Sequence, residues 1–407
     1  MNETPSQRIP RTVWKLGWIS FFADVSSEMA YPIIPLFLKN TLKASVGSLG
    51  IIEGTAEAIV SFMKGWSGWH SDRIGKRVPY IRWGYGLSAA GKPLIGLATV
   101  WPLVLVARVV DRLGKGLRTT ARDALVADAV PKSMLGRAFG LHRGLDTAGA
   151  LVGVLVAWWL VQLIPGNYRT IFLLAGIPGV ASVILTFMIR ERKAGDTDDQ
   201  SQPMELTPLT KSPREVLRSM PPGYWFALVL TLLFALANSS DTFLLLRSSQ
   251  LGLKDDQVIF VYALYNVAYM VLSYPAGLLS DKIGRWGVMG AGWILYVGVY
   301  AGFATLGQAA LWPLFLLYGV YMGLTKGVGS ALVADFAPKD ARGTAMGLFN
   351  MLLGGATLLA SLIAGILWDQ IGPRAPFWFG SIVAAFAVLA IPFGLRFQRV
   401  ASASRRQ

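Results

Sequence analysis

Apolar residues run along this chain in long blocks, separated by short stretches where charge, glycine and proline collect. A helix needs about 20 mostly apolar residues to cross a bilayer. On that measure the chain predicts twelve spans, starting near Val13, Val46, Tyr80, Trp101, Arg137 and Arg169, and again near Tyr224, Gln257, Gly287, Ala310, Gly343 and Phe377. Hydrocarbon offers the backbone no hydrogen-bond partners, so only helices or closed barrels can span it. The blocks exceed the length of a tilted barrel strand, and an all-α polytopic membrane protein is expected. The first block, residues 13–38, is too long for a signal peptide and lacks a small-residue cleavage site, so it is expected to stay as a helix.

The chain repeats itself. Residues 124–132 (ALVADAVPK) return as residues 331–339 (ALVADFAPK), and Gly136, Ala138, Gly140 and Leu141 return as Gly343, Ala345, Gly347 and Leu348. Gly68, Ser71, Asp72, Arg73, Ile74, Gly75 and Lys76 are likewise echoed by Gly277, Ser280, Asp281, Lys282, Ile283, Gly284 and Arg285. Two landmarks in the same order imply two pseudo-symmetric six-helix bundles, over residues 1–190 and 223–407. Between them, residues 191–222 are rich in Asp, Gln, Ser, Pro and basic residues and are expected to be a cytoplasmic linker, with at most a short amphipathic helix.

Composition agrees with lipid as the solvent: 54% of the 407 residues are hydrophobic and 15% charged, against about 25% charged in soluble domains. The formal net charge is +15, which in a soluble chain suggests nucleic acid. Here the bases gather in alternate short loops, as the positive-inside rule requires, and no nucleic-acid motif is found. Both termini are therefore expected in the cytoplasm, with the chain a multi-pass protein of the cell (inner) membrane. With no cysteine, disulfides and Cys-ligated zinc are excluded. No phosphate-binding loop occurs, so ATP is not the expected driver.

The doubled loop resembles the signature G-x-x-x-D-R-x-G-R/K-R/K of the major facilitator superfamily, complete at Gly68, Asp72, Arg73, Gly75, Lys76 and Arg77 and echoed at Gly277, Asp281, Lys282, Gly284 and Arg285. Arg112 and Gly116 match the family's R-x-x-x-G in the fourth helix. Its fifth-helix antiporter signature is partial: Gly149 and Gly153 fit, while Ala150 and Val154 replace Pro and Gly. The resemblance covers nearly the whole chain and implies a secondary transporter working by alternating access. Asp72 and Asp281 would then face helix N-termini in the opposite bundle as a cytoplasmic gate, with Asp128 and Asp335 pairing with Arg73 or Lys282. The plainer alternative is that these charges only set topology.

Charge at membrane depth is concentrated in the first half. Asp24 and Glu28 lie one turn apart on the first helix and Glu53 and Glu57 on the second, followed by Lys64; Lys92 lies on the third. Arg108, Asp111, Arg112, Lys115 and Arg118 form a stripe on the fourth, with His142, Arg143 and Asp146 on the fifth. An unpaired charge at the bilayer centre costs about 2.5–3.5 kcal/mol even on the insertion scale, so these groups are expected to face inward and meet partners. Either they form a fixed lattice, or at least one acid exchanges a proton during transport. Glu28 and Glu57 are the first candidates and Arg112 the switching base, with Arg108 and Arg112 expected near Glu28, Glu53 and Glu57. The second half has only Asp241, Arg247 and Lys326 at that depth. It adds a polar cluster, Asn238, Ser239 and Ser240, and an aromatic stripe, Tyr262, Tyr265, Asn266 and Tyr269, expected to wall a cavity with Lys92, Lys115 and Lys326. Lys326 is expected either to meet substrate or to pair with Asp241.

These features predict a proton-coupled transporter of a small organic solute, anionic or zwitterionic, with a drug or amphiphile:H+ antiporter as the alternative. The partners expected are solute, proton and lipid, the protein acting as a monomer without cofactor or metal. An intramembrane enzyme is disfavoured because the only histidines, His70 and His142, lack metal or catalytic spacing. A receptor that has lost transport is the third class.

Overall fold

Helix boundaries follow the local punctuation. Proline occupies the first turn of five helices among the described residues, where its missing N–H has no intrahelical partner to lose. In the computed structural model, which describes residues 9–74, 76–130, 135–189, 218, 220–336 and 342–404, the helices are α1 (Arg11–Ala30), α2 (Val46–Ile74), α3 (Val78–Leu97), α4 (Trp101–Asp128), α5 (Leu135–Leu163) and α6 (Tyr168–Thr186). They continue with α7 (Pro222–Ala237), α8 (Thr242–Gln250), α9 (Asp255–Ile283), α10 (Arg285–Thr305), α11 (Leu311–Phe336), α12 (Arg342–Gln370) and α13 (Ala375–Ser404). With α7 and α8 taken as one interrupted passage, these make twelve passages among the described residues, each starting within two residues of the position expected from the sequence. Nine described segments are long and apolar enough to cross a membrane. α4 is not among them because it carries the stripe from Arg108 to Arg118. Gly75, the linker residues 191–217 and 219, and the side chains of Asp72, Asp281 and Asp335 lie outside the described residues.

Two passages depart from a plain helix. Beyond Ala30 the first continues through a tight turn, Tyr31–Ile33, and a wide one, Phe37–Thr41; Pro32 and Pro35 remove two donors and prevent one α-helical ladder from running through. The seventh breaks between Ala237 and Thr242, within the polar cluster at 238–241. α9 ends on Gly284 at φ 94°, the left-handed conformation that glycine adopts without steric cost.

The chain divides into two compact units. In the first (residues 1–33 and 62–207), α1 packs on α5 and α6, and α3 packs on α4 and α6. Small residues bring the backbones together: a β-carbon on Gly153 would lie 2.5 Å from the Val25 carbonyl oxygen, and one on Gly84 would lie 2.7 Å from that of Gly114. Val13, Leu16, Ile19, Ile81, Leu125 and Val126 form the apolar core beside these contacts.

In the second unit (residues 34–61 and 208–407), α11 packs on α9 and α10, and α13 packs on α7 and α10. This division differs from one at residues 191–222, because the first half of α2 groups with the later helices. Its glycines explain that. A β-carbon on Gly54 would lie 2.9 Å from the Leu358 carbonyl oxygen, and one on Gly365 would lie 2.9 Å from Gly47 Cα. The Asp369 carboxylate accepts hydrogen bonds from the Val46 and Gly47 amides at 3.1 and 2.7 Å, capping the positive end of α2.

Polarity is inverted relative to a soluble protein. Leu97, Ile177, Val229, Phe386 and Leu389 are exposed, while Glu53, Lys92, Arg108, Asp111, Arg112 and Arg118 are buried. Apolar cladding over a charged interior suits lipid and is unsustainable in water.

Candidate functional site

The charged stripe of α4 faces inward because its apolar residues occupy the other faces of the helix. Asp111 is the centre of the first unit's buried charge. Lys92 Nζ lies 2.6 Å from Asp111 Oδ1, and the Ser88 hydroxyl donates to the same oxygen at 2.6 Å. Arg108 approaches Oδ2 at 3.4 Å and Arg112 at 3.8 Å. Lys92 also donates to the Ser88 carbonyl and hydroxyl at 2.7 and 2.9 Å. This lysine, expected from the sequence to line a cavity, spends its three donors inside the helix pair α3–α4. The guanidinium of Arg108 lies 5.8 Å from the Tyr31 ring centre. One carboxylate thus serves three cations.

One turn and more along α4 the pairing loosens. Arg118 Nη2 is 3.9 Å from Asp24 Oδ1 and stacks over Tyr85 at 4.3 Å. Arg122 Nη1 is 3.9 Å from Asp146 Oδ2, and Nη2 is 2.8 Å from Asp123. Asp24 and Asp146 are half-buried. Ser20 knits this layer together: its hydroxyl meets the Tyr85 hydroxyl at 2.8 Å, His142 Nε2 at 3.1 Å and Arg122 at 2.9 Å. His142 is buried, with Nδ1 3.6 Å from Asp146. Glu28, Glu57 and Lys115 are half-buried and Glu53 is buried.

In the second unit, Asp241 stands at the break between α7 and α8. The Tyr265 hydroxyl donates to Oδ2 at 2.9 Å and the Tyr318 hydroxyl to Oδ1 at 2.6 Å. Tyr318 belongs to an aromatic cluster in which Tyr296 stacks on Tyr300 at 4.0 Å and Phe234 on Trp293 at 4.5 Å. The Tyr296 hydroxyl donates to the last carbonyl of α7, Ala237, at 2.8 Å. Tyr262 and Tyr265 are buried, whereas Asn266 and Tyr269 are half-buried. The Asn266 amide is used locally, donating to the Tyr262 carbonyl at 2.9 Å. Lys326 is exposed, its ammonium 5.5 Å from the Tyr269 ring centre, so it does not pair with Asp241.

The two loop signatures are not equivalent in their packing. Gly68 is buried where a β-carbon would lie 2.8 Å from Thr120 Cγ2, whereas Gly277 has open space and Gly284 has the positive φ. Asp128 pairs with Arg77 at 3.2 Å. Arg73, its expected partner, is exposed beside Trp69, and Lys282 is exposed.

Repeated loops, an inverted interior and twelve passages all point one way. The sequence profile of the Major Facilitator Superfamily matches residues 16–254 and 243–406. The chain belongs to that superfamily. As a member it is a membrane transporter and not an enzyme. An uncharacterised MFS-type transporter of Methanocaldococcus jannaschii is 33% identical over 399 residues, covering 96% of this chain and 97% of the relative. The cis,cis-muconate transport protein of Acinetobacter baylyi is 25% identical, covering 95% and 93%. The multi-drug resistance efflux pump PmrA of Streptococcus pneumoniae is 26% identical, covering 92% and 94%.

Within this superfamily member, sequence reasoning missed three sets of residues. Tyr296 and Tyr300, and Tyr318 and Tyr321, stand at helical spacing on α10 and α11, a periodicity visible in the amino-acid order itself. Ser20 and Tyr85 carried no signal, being ordinary polar residues in apolar helices. Asp369 was legible only as an acid near a helix end.

Proposed function

We propose that this superfamily member is a proton-coupled secondary transporter of a small organic solute, acting as a monomer by alternating access in the cell membrane with both termini cytoplasmic. The observation that carries this reading is the graded pairing of membrane-depth acids. Asp111 is clasped at 2.6 Å, whereas Asp24 and Asp146 stand 3.9 Å from their arginines and are half-buried. A carboxylate loosely held by an arginine is protonated when conformation or substrate draws that base away. Asp24 lies one turn from Glu28, which with Glu57 and Arg112 forms the proposed coupling set. The clustered bases of α4 favour a solute with an anionic group. The relative named for multi-drug efflux supports a drug:H+ antiporter as the second reading.

Purified protein in proteoliposomes decides between coupled and uncoupled transport. Solute flux should follow an imposed proton gradient, and Glu57→Gln or Glu28→Gln should uncouple it. Flux indifferent to the gradient and unchanged in both variants defeats proton coupling.

A further inference from the structure

Asp241 is a carboxylate within a segment apolar enough to span the membrane, Pro222–Gln250, and no basic residue pairs with it among the described residues. The second unit's other membrane-depth charges are engaged elsewhere. Arg247 donates to the Phe303 carbonyl at 3.1 Å and to Gln250 at 2.6 Å, and Lys326 lies over Tyr269. The aspartate does not cap α8, since its side chain accepts no amide there. Its partners are two tyrosine hydroxyls, one on each oxygen. An ionised carboxylate has about four acceptor positions, so half remain open. The same break holds a second acceptor, the Asn238 Oδ1, which is buried without a hydrogen-bond partner. The break also follows the C-terminal, negative end of α7. The open lone pairs of Asp241 and the Asn238 Oδ1 are acceptors, against which the one unpartnered hydroxyl of the neighbouring cluster among the described residues, Tyr300, offers a single neutral donor; a cation rich in N–H groups is the complement of such a pair.

We infer that Asp241, with Asn238, is the receptor for a protonated amine on the transported solute. An –NH3+ group carries three donors and a full charge, enough for the open positions of Asp241 and for Asn238 Oδ1. Tyr265 and Tyr318 are positioning residues: they hold the carboxylate still and leave its remaining lone pairs unspent. This assignment rests on the transport reading above and narrows its solute from anionic or zwitterionic to zwitterionic.

The test uses the full chain purified in detergent, with benzylammonium chloride as probe and benzyl alcohol, at matched ionic strength, as its uncharged counterpart. Benzylammonium should raise the thermal unfolding temperature at millimolar concentration where benzyl alcohol does not. Asp241→Asn should weaken the apparent affinity at least about tenfold, as expected for loss of a hydrogen bond to a charged group, and Asp241→Glu should recover part of it. Asn238→Ala, which keeps the carboxylate, should weaken binding a few-fold and guards against misfolding of the Asp241 variant. Equal stabilisation by both compounds, or full benzylammonium binding by a folded Asp241→Asn protein, overturns the assignment. Proton-driven flux is measured separately: flux without amine binding defeats this inference alone, and amine binding without flux defeats the transport reading alone.

Discussion

Neutralising Asp111 and removing Lys92 are unequal perturbations of one ion pair, and the geometry predicts their order. Asp111 has Lys92 at 2.6 Å, Arg108 at 3.4 Å and Arg112 at 3.8 Å, all four buried. Asp111→Asn takes away the anion these three cations share. Truncating one partner of a buried pair costs about 3–5 kcal/mol because the other charge is left behind, and the cation this variant strands is Lys92, whose only anionic neighbour among the described residues is Asp111 at 2.6 Å. Lys92→Met leaves Asp111 with both arginines and with the Ser88 hydroxyl at 2.6 Å. Its cost is about that of one charge-assisted bond, roughly 1.5–3 kcal/mol. The gap of about 2 kcal/mol is a factor of roughly 30 in an equilibrium constant. The double variant, Lys92→Met with Asp111→Asn, removes one stranded cation and should be more stable than Asp111→Asn alone. Thermal melts of purified protein in detergent, followed by fluorescence of its 14 tryptophans, should rank wild type above Lys92→Met, then the double variant, then Asp111→Asn. Additive losses in the double variant, or Lys92→Met melting below Asp111→Asn, would refute the picture of one carboxylate serving three cations.

Other outcomes follow from close contacts and shared hydrogen bonds. Gly153→Ala puts a methyl group 2.5 Å from the Val25 carbonyl oxygen, and prying α1 from α5 should cost about 1–3 kcal/mol, seen as a lower melting temperature; an unchanged melt contradicts the contact. Ser20→Ala removes the hydroxyl shared by Tyr85, His142 and Arg122 and should cost about 1–3 kcal/mol through polar groups left unsatisfied, whereas Ser20→Thr should retain most of the stability in the same melt. Arg77→Gln breaks a pair whose aspartate is about half exposed, so the melt should move by less than about 1 kcal/mol's worth; a large drop would mean the pair is far better shielded than its exposure implies.

The loops and spans were legible because their causes are local. A block of about 20 apolar residues ends where proline, glycine or charge interrupts it, so the starts of α2 and α4 fall on Val46 and Trp101, as expected. That Asp24, Lys92 and Asp111 turn inward also followed from sequence, since lipid penalises them on any other face. Their partners did not follow. The structure gives Asp111, on the arginines' own helix, three cations, and reaches across to α3 for the nearest.

The sequence by itself determined what must be helical, what must be sheltered from lipid, and that the chain is built twice over, because each rests on short-range chemistry or on visible repetition. Only the tertiary structure decided who meets whom. Asp241 is held by Tyr318, 77 positions away, and the start of α2 is capped by Asp369, more than 320 positions on. Helical periodicity gives the face on which a side chain lies, but its partner depends on the crossing and relative depth of two helices, which packing of the whole unit sets.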